Sequence, residues 1–186
     1  MLSDKEFWEQ MVLDALKAKA EYNFLDFKLS LSEDSERLKE HINAFGHLER
    51  GGCFVFGVKN YIPLGIQEDA DKIIQKITHL ALDTQEPKLN VDAFPLDLEG
   101  KQLLGIHILP SSSKPIFIKD RQPMGGSACF KRTGSSTVPM SIQEIKDLLA
   151  GAEENYYDES EVKDANLDHL DFDKLCSVRL GAWVTH

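Results

Sequence analysis

A short alternation of hydrophobic and polar residues occupies residues 21–28. Successive side chains on a strand point to opposite faces. Phe24, Asp26 and Lys28 are therefore predicted to share one face, and Leu25 and Phe27 the other. The pattern predicts a strand with an apolar side and a side that carries charge.

A helical stripe and a continuous apolar run follow this alternation. Leu38, Ile42, Phe45 and Leu48 recur at helical spacing, which predicts an amphipathic helix. Residues 53–58 are almost all apolar, β-branched or aromatic, as in a strand buried on both faces. Strand, helix and strand within about 40 residues is the size of a right-handed crossover unit.

The remaining patterns predict three more helices and several short strands. The helices fall at about residues 3–19, 69–82 and 141–149, the last ending at Gly151. Strands are predicted at 90–98 and 102–109, joined by a turn at Glu99-Gly100, and at 116–118 and 128–132. Residues 133–137 are predicted to form a polar turn. The fold class that follows is α+β, with mixed β-sheets, a buried Gly-Gly strand and about four packed helices.

The composition of the chain predicts a domain boundary and a cellular location. The chain has 186 residues, of which 42% are hydrophobic and 28% charged. This favours one soluble domain over residues 1–150 and an acidic extension over 151–186. No apolar run is long enough to cross a bilayer, and the acidic N-terminus is unlike a signal peptide. Three scattered cysteines argue against a disulfide framework, so we expect a cytoplasmic protein with reduced thiols.

The charge is distributed unevenly along the chain. The formal net charge is −10, which by itself disfavours a nucleic-acid partner. However, residues 151–186 hold nine acids and three bases, whereas residues 101–150 hold seven bases and three acids. A local basic face is therefore compatible with an acidic protein, although the same residues are also compatible with ordinary solvated surface charge.

Six short motifs, taken together, resemble the Schlafen AlbA-like domain over about residues 15–150. The matches, in chain order, are Glu21-x4-Asp26-Phe-Lys28, Asn43-Ala-Phe45, Gly51-Gly-x4-Gly57-Val58, Leu64-Gly65, Ser113-Lys-Pro115 and Phe130-Lys-Arg132-Thr-Gly134-Ser-Ser-Thr137. The resemblance implies the nucleic-acid-binding module of a bacterial transcriptional regulator, with DNA or RNA as partner and no membrane. The resemblance leaves the oligomeric state open, and a homodimer is one alternative.

The resemblance also implies a candidate metal site. Some Schlafen members build a metal-dependent ribonuclease site from three carboxylates, two of which correspond to Glu21 and Asp26. The third falls where this sequence has Lys59 and Asn60. The alternative function is therefore a nuclease that binds Mg²⁺ or Mn²⁺ through Glu21 and Asp26, and no other cofactor is expected. The missing acid and the added lysine weaken such a site.

Candidate phosphate-binding residues cluster in the basic part of the chain. A stacking ring beside cations and loops of small residues suits contacts with a nucleic-acid backbone. The candidates are Lys28, Lys114, Lys119, Arg121, Phe130, Lys131, Arg132, Ser135, Ser136 and Thr137. No Walker motif is present, so ATP binding is a weaker alternative, beside a module that binds another nucleotide or a protein.

Overall fold

A four-stranded sheet lies at the centre of the fold. The computed structural model describes residues 4–31, 34–121 and 128–158. The sheet has the order β1 (Leu25–Lys28), β2 (Gly52–Phe56), β7 (Lys101–Ile108) and β6 (Val91–Leu98). β1 is parallel to β2, and the other two pairs are antiparallel. The predicted α+β fold with mixed sheets is therefore confirmed, and the Gly-Gly strand β2 is buried along its whole length.

Three two-stranded ribbons and four helices surround the sheet. The ribbons pair β3 (Val58–Lys59) with β4 (Ile62–Pro63), β5 (Gln85–Glu86) with β8 (Phe117–Ile118), and β9 (Phe130–Thr133) with β10 (Ser136–Pro139). The helices are α1 (Asp4–Ala18), α2 (Ser35–Gly46), α3 (Ala70–Asp83) and α4 (Ile142–Asp158). None of the helices in the described part of the chain is long and apolar enough to span a membrane.

Each face of the central sheet is covered by its own hydrophobic cluster. Helices α2 and α3 pack on one face, where Phe54 and Phe56 lie among the buried residues. Helix α1 packs on the other face through Trp8, Val12 and Ala15. The sheet thus forms the middle layer between helices, which is how an α+β domain buries both of its faces.

The charged side of β1 faces the α2 layer. Asp26 and Lys28 are in register with Phe54 and Phe56, whereas Leu25 and Phe27 pack in the α1 cluster. The prediction for Phe24 was wrong, because Phe24 lies in the turn before the strand and packs with the α1 cluster. The alternation rule applies only from Leu25 onward, where the extended backbone begins.

The two glycines before β2 are required by close packing. A Cβ at Gly52 would lie 2.1 Å from the ring of Phe45 on α2. Gly51 has a φ of +70°, and a Cβ there would lie 2.0 Å from the main-chain oxygen of Ile108. Glycine therefore lets α2 and β7 approach the start of β2 closely.

Three further differences from the sequence predictions concern local structure. Helix α4 was predicted to stop at Gly151 but continues to Asp158, and Gly151 occupies a position inside the helix. Residues 136 and 137 are the start of strand β10, although serine and threonine are typical of the predicted turn. Strand β5 was not predicted, because its two residues gain strand character only by pairing with distant β8. The predicted extension at 151–186 lies largely outside the described residues.

Candidate nucleic-acid interface

Asn43 on α2 joins the basic half of the chain to the core. It is fully buried, and its amide nitrogen donates to Gln85 Oε1 at 2.9 Å and to the main-chain oxygen of Ile116 at 3.0 Å. Its amide oxygen accepts from the main-chain nitrogen of Phe130 at 2.8 Å. One side chain therefore fixes β9 and the residues flanking β8 against the helix, as a buried amide with satisfied groups does.

His47 holds the same segments one turn further along. Its Nδ1–H donates to the main-chain oxygen of Asn43 at 2.9 Å, and its Nε2 accepts from the main-chain nitrogen of Ile116 at 2.9 Å. Burial lowers the pKa of His47 to about 4, and the charge of Lys114 acts in the same direction. The hydrogen bond with the main chain of Asn43 raises the pKa but does not outweigh burial. The ring is therefore neutral at physiological pH, with its proton on Nδ1.

Two side chains cover the open edge of β1. Glu21 Oε1 accepts from the main-chain nitrogen of Phe27 at 3.0 Å. Arg132 Nη2 donates to the main-chain oxygen of Leu25 at 3.4 Å, and its Nε donates to that of Asn23 at 3.0 Å. Edge strands with unpaired groups are templates for unwanted pairing, so these contacts close the sheet at this side.

Arg132 is an interior residue rather than a surface cation. Only 8% of it is exposed, its Nη1 donates to Thr137 Oγ1 at 2.9 Å, and its guanidinium lies 5.2 Å from the ring centroid of Phe45. Burial lowers its pKa, opposed by the charges of Asp26 and Glu21. The guanidinium stays charged and ties the β9–β10 hairpin to the edge of the sheet.

Asp26 belongs to a buried cluster with His41 and Lys28. Its Oδ2 lies 2.5 Å from His41 Nδ1 and 3.1 Å from Lys28 Nζ. Burial raises the pKa of Asp26, but the hydrogen bond with His41 and the charge of Lys28 outweigh it, so the pKa lies below its usual value. Lys28 Nζ also lies 5.6 Å from the ring centroid of Phe54. Both charged residues thus have partners built into the fold.

The candidate metal ligands already have hydrogen-bond partners of their own. Glu21 accepts from Phe27, and Asp26 is held by His41 and Lys28. Among residues 4–31, 34–121 and 128–158, no group of three or more His, Cys, Asp or Glu side chains is arranged to hold a metal ion. Lys59 and Asn60 lie exposed in the β3–β4 hairpin. A metal role for Glu21 and Asp26 stays a prediction.

Ion pairs hold the next two candidate cations, Arg121 beside α2 and Lys119 beside β5. Arg121 donates to Glu40 and to Glu36, each at 2.9 Å, and Lys119 lies 3.7 Å from Glu86. Lys39 on the same helix pairs with Glu36 and with Asp120. These contacts fix Asp120 and Arg121 against the first half of the helix, and Lys119 against β5.

Two further candidates are placed against the second half of α2. Lys114 Nζ donates to the main-chain oxygen of His47 at 2.8 Å. The ring of Phe130 is buried with Ala44 and Ile118, and Arg121 lies 5.4 Å from its centroid. The ring predicted to stack on a base therefore packs in the interior.

The exposed part of the interface is the turn of the β9–β10 hairpin. Residues 133–136 are exposed, and Gly134 has a φ of +58° with open space around it. Lys131 points away from buried Arg132 and forms an ion pair with Glu144. Glu144 also accepts from the main-chain nitrogen of Ser141 at 2.9 Å, and its own main-chain nitrogen donates to Ser141 Oγ at 3.3 Å, so the two residues form a capping box at the start of α4. The contacts with Lys131 and Ser141 lower the pKa of Glu144 to about 2.

The described cysteines are structural. Cys53 and Cys129 are free and buried, and burial raises the pKa of both thiols, that of Cys129 to about 12. Cys129 Sγ donates to the main-chain oxygen of Ile116 at 2.9 Å. Protonated, buried thiols are unreactive. Cys176 lies outside the described residues.

Comparison with known proteins places this geometry in a family. The family model described as Schlafen, AlbA_2 matches residues 21–141. The chain therefore belongs to the Schlafen AlbA_2 family. A comparison with curated proteins gave no match.

Two solved structures have a similar fold. The N-terminal domain of a RecG-related protein from Nitrosomonas europaea is 25% identical, with a TM-score of 0.52. The similarity covers 69% of this chain and 90% of that domain. The DIP2311 protein from Corynebacterium diphtheriae is 14% identical, with a TM-score of 0.53, over 81% of this chain. This chain spans 29% of the DIP2311 protein, so that likeness concerns the fold alone.

The fold brings some predicted site residues together and separates others. Glu21, Asp26, Lys28 and Arg132 meet at the edge of β1. Arg121 lies along the first half of α2, Lys119 lies beside β5, and Lys114 lies at the end of α2. The sequence reasoning missed His41, whose partner Asp26 is 15 positions away. The position of His41 beside Ile42 on α2 does not predict its contact with Asp26, which forms only when β1 and α2 pack together.

Proposed function

We propose that this chain is a nucleic-acid-binding module that contacts mainly the phosphate backbone of DNA or RNA. Membership of the Schlafen AlbA_2 family supports this function, as does the similarity to a domain whose name relates it to the helicase RecG. We further propose that the module serves a transcriptional regulator in the cytoplasm.

The observation that carries the proposal is the anchored β9–β10 hairpin. Arg132 fixes its base to the sheet, whereas its turn presents Thr133, Ser135 and Ser136 to solvent beside Lys131. Hydroxyl groups, free main-chain N–H groups and a lysine are the donors that proteins use for phosphate oxygens. A rigid base under a polar turn suits contacts that set position without reading sequence.

Ion-pair partners divide the cations of this surface into two kinds. Lys131, Arg121 and Lys119 pair with exposed or partly exposed carboxylates. Incoming phosphates can compete with these carboxylates for the three cations. Arg132 and Lys28 are held inside the fold and position the hairpin and β1 instead. Because the exchangeable contacts are electrostatic, binding should weaken steeply with salt. The net charge of −10 restricts attraction to this local surface.

A charge-matched pair of variants tests the proposal. Labelled single- and double-stranded DNA and RNA of unrelated sequence are titrated with protein, and binding is measured by fluorescence anisotropy. We expect Lys131→Gln to weaken binding about threefold to tenfold, similarly for each sequence, because a phosphate contact is lost. Lys146→Gln removes the same charge from the exposed face of α4 and should change binding less than about twofold.

Equal effects of the two substitutions would leave only a general charge effect and contradict the proposed surface. The absence of binding to every oligonucleotide at low salt would contradict the function itself. Titration at several salt concentrations belongs to the same experiment, since the slope reports how many phosphates are contacted.

A further inference from the structure

A cavity of about 360 Å³ lies on the α1 side of the domain, beside the interface described above. Its apolar lining comes from Phe7, Trp8, Phe24 and Leu48, and Asn23 and Arg50 add polar groups. This volume is at the lower end of the roughly 300–1,000 Å³ typical of small-molecule sites. An apolar cavity with a few polar groups is the usual composition of such a site.

The aromatic residues of the lining pack on one another. The ring centroid of Trp8 lies 5.3 Å from that of Phe7 and 5.9 Å from that of Phe24, both edge to face. His107 packs 4.7 Å from Trp8, and its Nε2–H donates to the main-chain oxygen of Arg50 at 2.8 Å. Trp8 is almost fully buried, whereas Phe7 and Phe24 are only partly buried. The rings therefore support one another along the cavity.

The polar groups suit a ligand with a flat ring and hydrogen-bonding groups along its edge. The guanidinium of Arg50 lies 5.0 Å from the ring centroid of Phe7, and Arg50 is exposed. Asn23 supplies an amide and Glu49 a carboxylate, which hydrogen-bond to the edges of nucleobases. Aromatic rings beside an arginine are the combination that stacks unpaired bases in proteins that bind single strands.

The cavity adjoins residues that anchor the proposed phosphate-binding surface. Asn23, at its rim, accepts the hydrogen bond from Arg132 Nε that anchors the β9–β10 hairpin. Leu48, another lining residue, follows His47, whose main-chain oxygen accepts from Lys114. The cavity therefore lies next to the anchor of the hairpin and to the residue that Lys114 contacts, so a strand bound at the hairpin turn and at Lys114 would pass close to it.

We propose that this cavity binds one unpaired base of a single-stranded nucleic acid, against the partly buried rings of Phe7 and Phe24 and beside Arg50. The inference rests on the proposed function and extends it, since it adds a base-binding site to a surface that otherwise contacts phosphates. The chemistry does not select one base, because every base has a ring face that can stack.

The test uses short oligonucleotides with controlled bases. One consists of abasic sites with a single central 2-aminopurine, and the other is entirely abasic, so both carry the same phosphates. The oligonucleotide with the base should bind the protein roughly fivefold to 100-fold more tightly, with quenching of its fluorescence. Phe24→Leu and Arg50→Gln should each reduce that difference, and circular dichroism checks that both variants fold.

Each other outcome overturns the inference in a distinguishable way. If both oligonucleotides bind the native protein equally and without quenching, the cavity does not hold a base, although the phosphate surface stands. If neither oligonucleotide binds and longer strands do not bind either, both the base-binding site and the proposed function are contradicted. If N-acetylleucinamide binds in the cavity where free nucleosides do not, the site is one for a peptide side chain.

Discussion

Arg132 Nε donates to the main-chain oxygen of Asn23 at 3.0 Å, and this bond joins the β9–β10 hairpin to the central sheet. The two residues are 109 positions apart in the chain. The same guanidinium also reaches Leu25 and Thr137. A family motif residue that resembles a phosphate ligand in the sequence therefore has a structural role in the folded domain.

Replacing Arg132 by lysine should destabilise the domain. A lysine keeps the charge but lacks the planar fork that reaches the oxygens of Asn23, Leu25 and Thr137 together. The charge would stay buried with fewer partners, so we expect a loss of about 2–3 kcal/mol in the free energy of unfolding. Urea denaturation followed by circular dichroism measures it.

The control for this substitution is Arg37→Lys on the exposed face of α2. It should change the free energy of unfolding by no more than about 0.5 kcal/mol. Equal stability of the two variants would show that the interior contacts of Arg132 contribute little.

His47 should give the domain a pH-dependent stability. Its pKa is about 4 in the folded protein and about 6.5 in an unfolded chain. Above pH 6.5 both states carry a neutral ring, so the contribution is complete. As the pH falls from about 6.5 to about 4, the unfolded state takes up the proton first, and stability is lost. The full loss is on the order of 3 kcal/mol.

The measurement compares unfolding free energies of the native protein and His47→Gln between pH 7 and pH 4.5. Subtraction removes the contributions of the other histidines and of the carboxylates. The native protein should lose more stability over this interval than the variant. Parallel pH profiles would mean that His47 is protonated in the folded state as well.

The sequence predicted the centre of the fold because its signals there are local. The stripe of α2 and the apolar run of β2 set the two layers that pack on each other, and the glycines between them mark the close approach of Phe45 to Gly52. Strand β5 was missed because pairing with distant β8 makes it extended. The start of β10 was missed because its serine and threonine are typical of a turn, although they pair with adjacent β9.

The sequence predicted which residues belong to the candidate site, but not which of their side chains point into the core and which point to solvent. Within β9 the alternation of side chains places Phe130 and Arg132 inward and Lys131 outward. That signal is present in the sequence, but it orients the residues only once Phe130 is known to be buried. The contact between Asp26 and His41 carries no comparable signal, because it forms only when β1 and α2 pack together.

The chain should not be an efficient metal-dependent nuclease. Glu21 and Asp26 are held by Phe27, His41 and Lys28, and exposed Lys59 and Asn60 stand where the family places another acid. Phosphodiester cleavage of this kind needs metal ions to stabilise the developing charge. We expect no cleavage of labelled RNA or DNA above background with Mg²⁺ or Mn²⁺.

The control for cleavage is the double variant Glu21→Gln, Asp26→Asn, prepared and assayed in parallel. Residual cleavage that is equal in both proteins would come from contamination. Cleavage by the native chain that disappears in the double variant would establish the nuclease alternative.

The ion pair between Lys131 and Glu144 gives the most direct test of the phosphate-binding surface. Glu144→Gln releases Lys131 while a glutamine keeps the capping box with Ser141. Glu99→Gln, in the exposed β6–β7 turn, makes the same charge change elsewhere. Affinity for one labelled oligonucleotide is measured for both variants and the native protein over a range of salt concentrations. The account predicts that Glu144→Gln binds about threefold more tightly than Glu99→Gln at low salt, because a freed lysine meets the phosphates. Equal affinities of the two variants would contradict it.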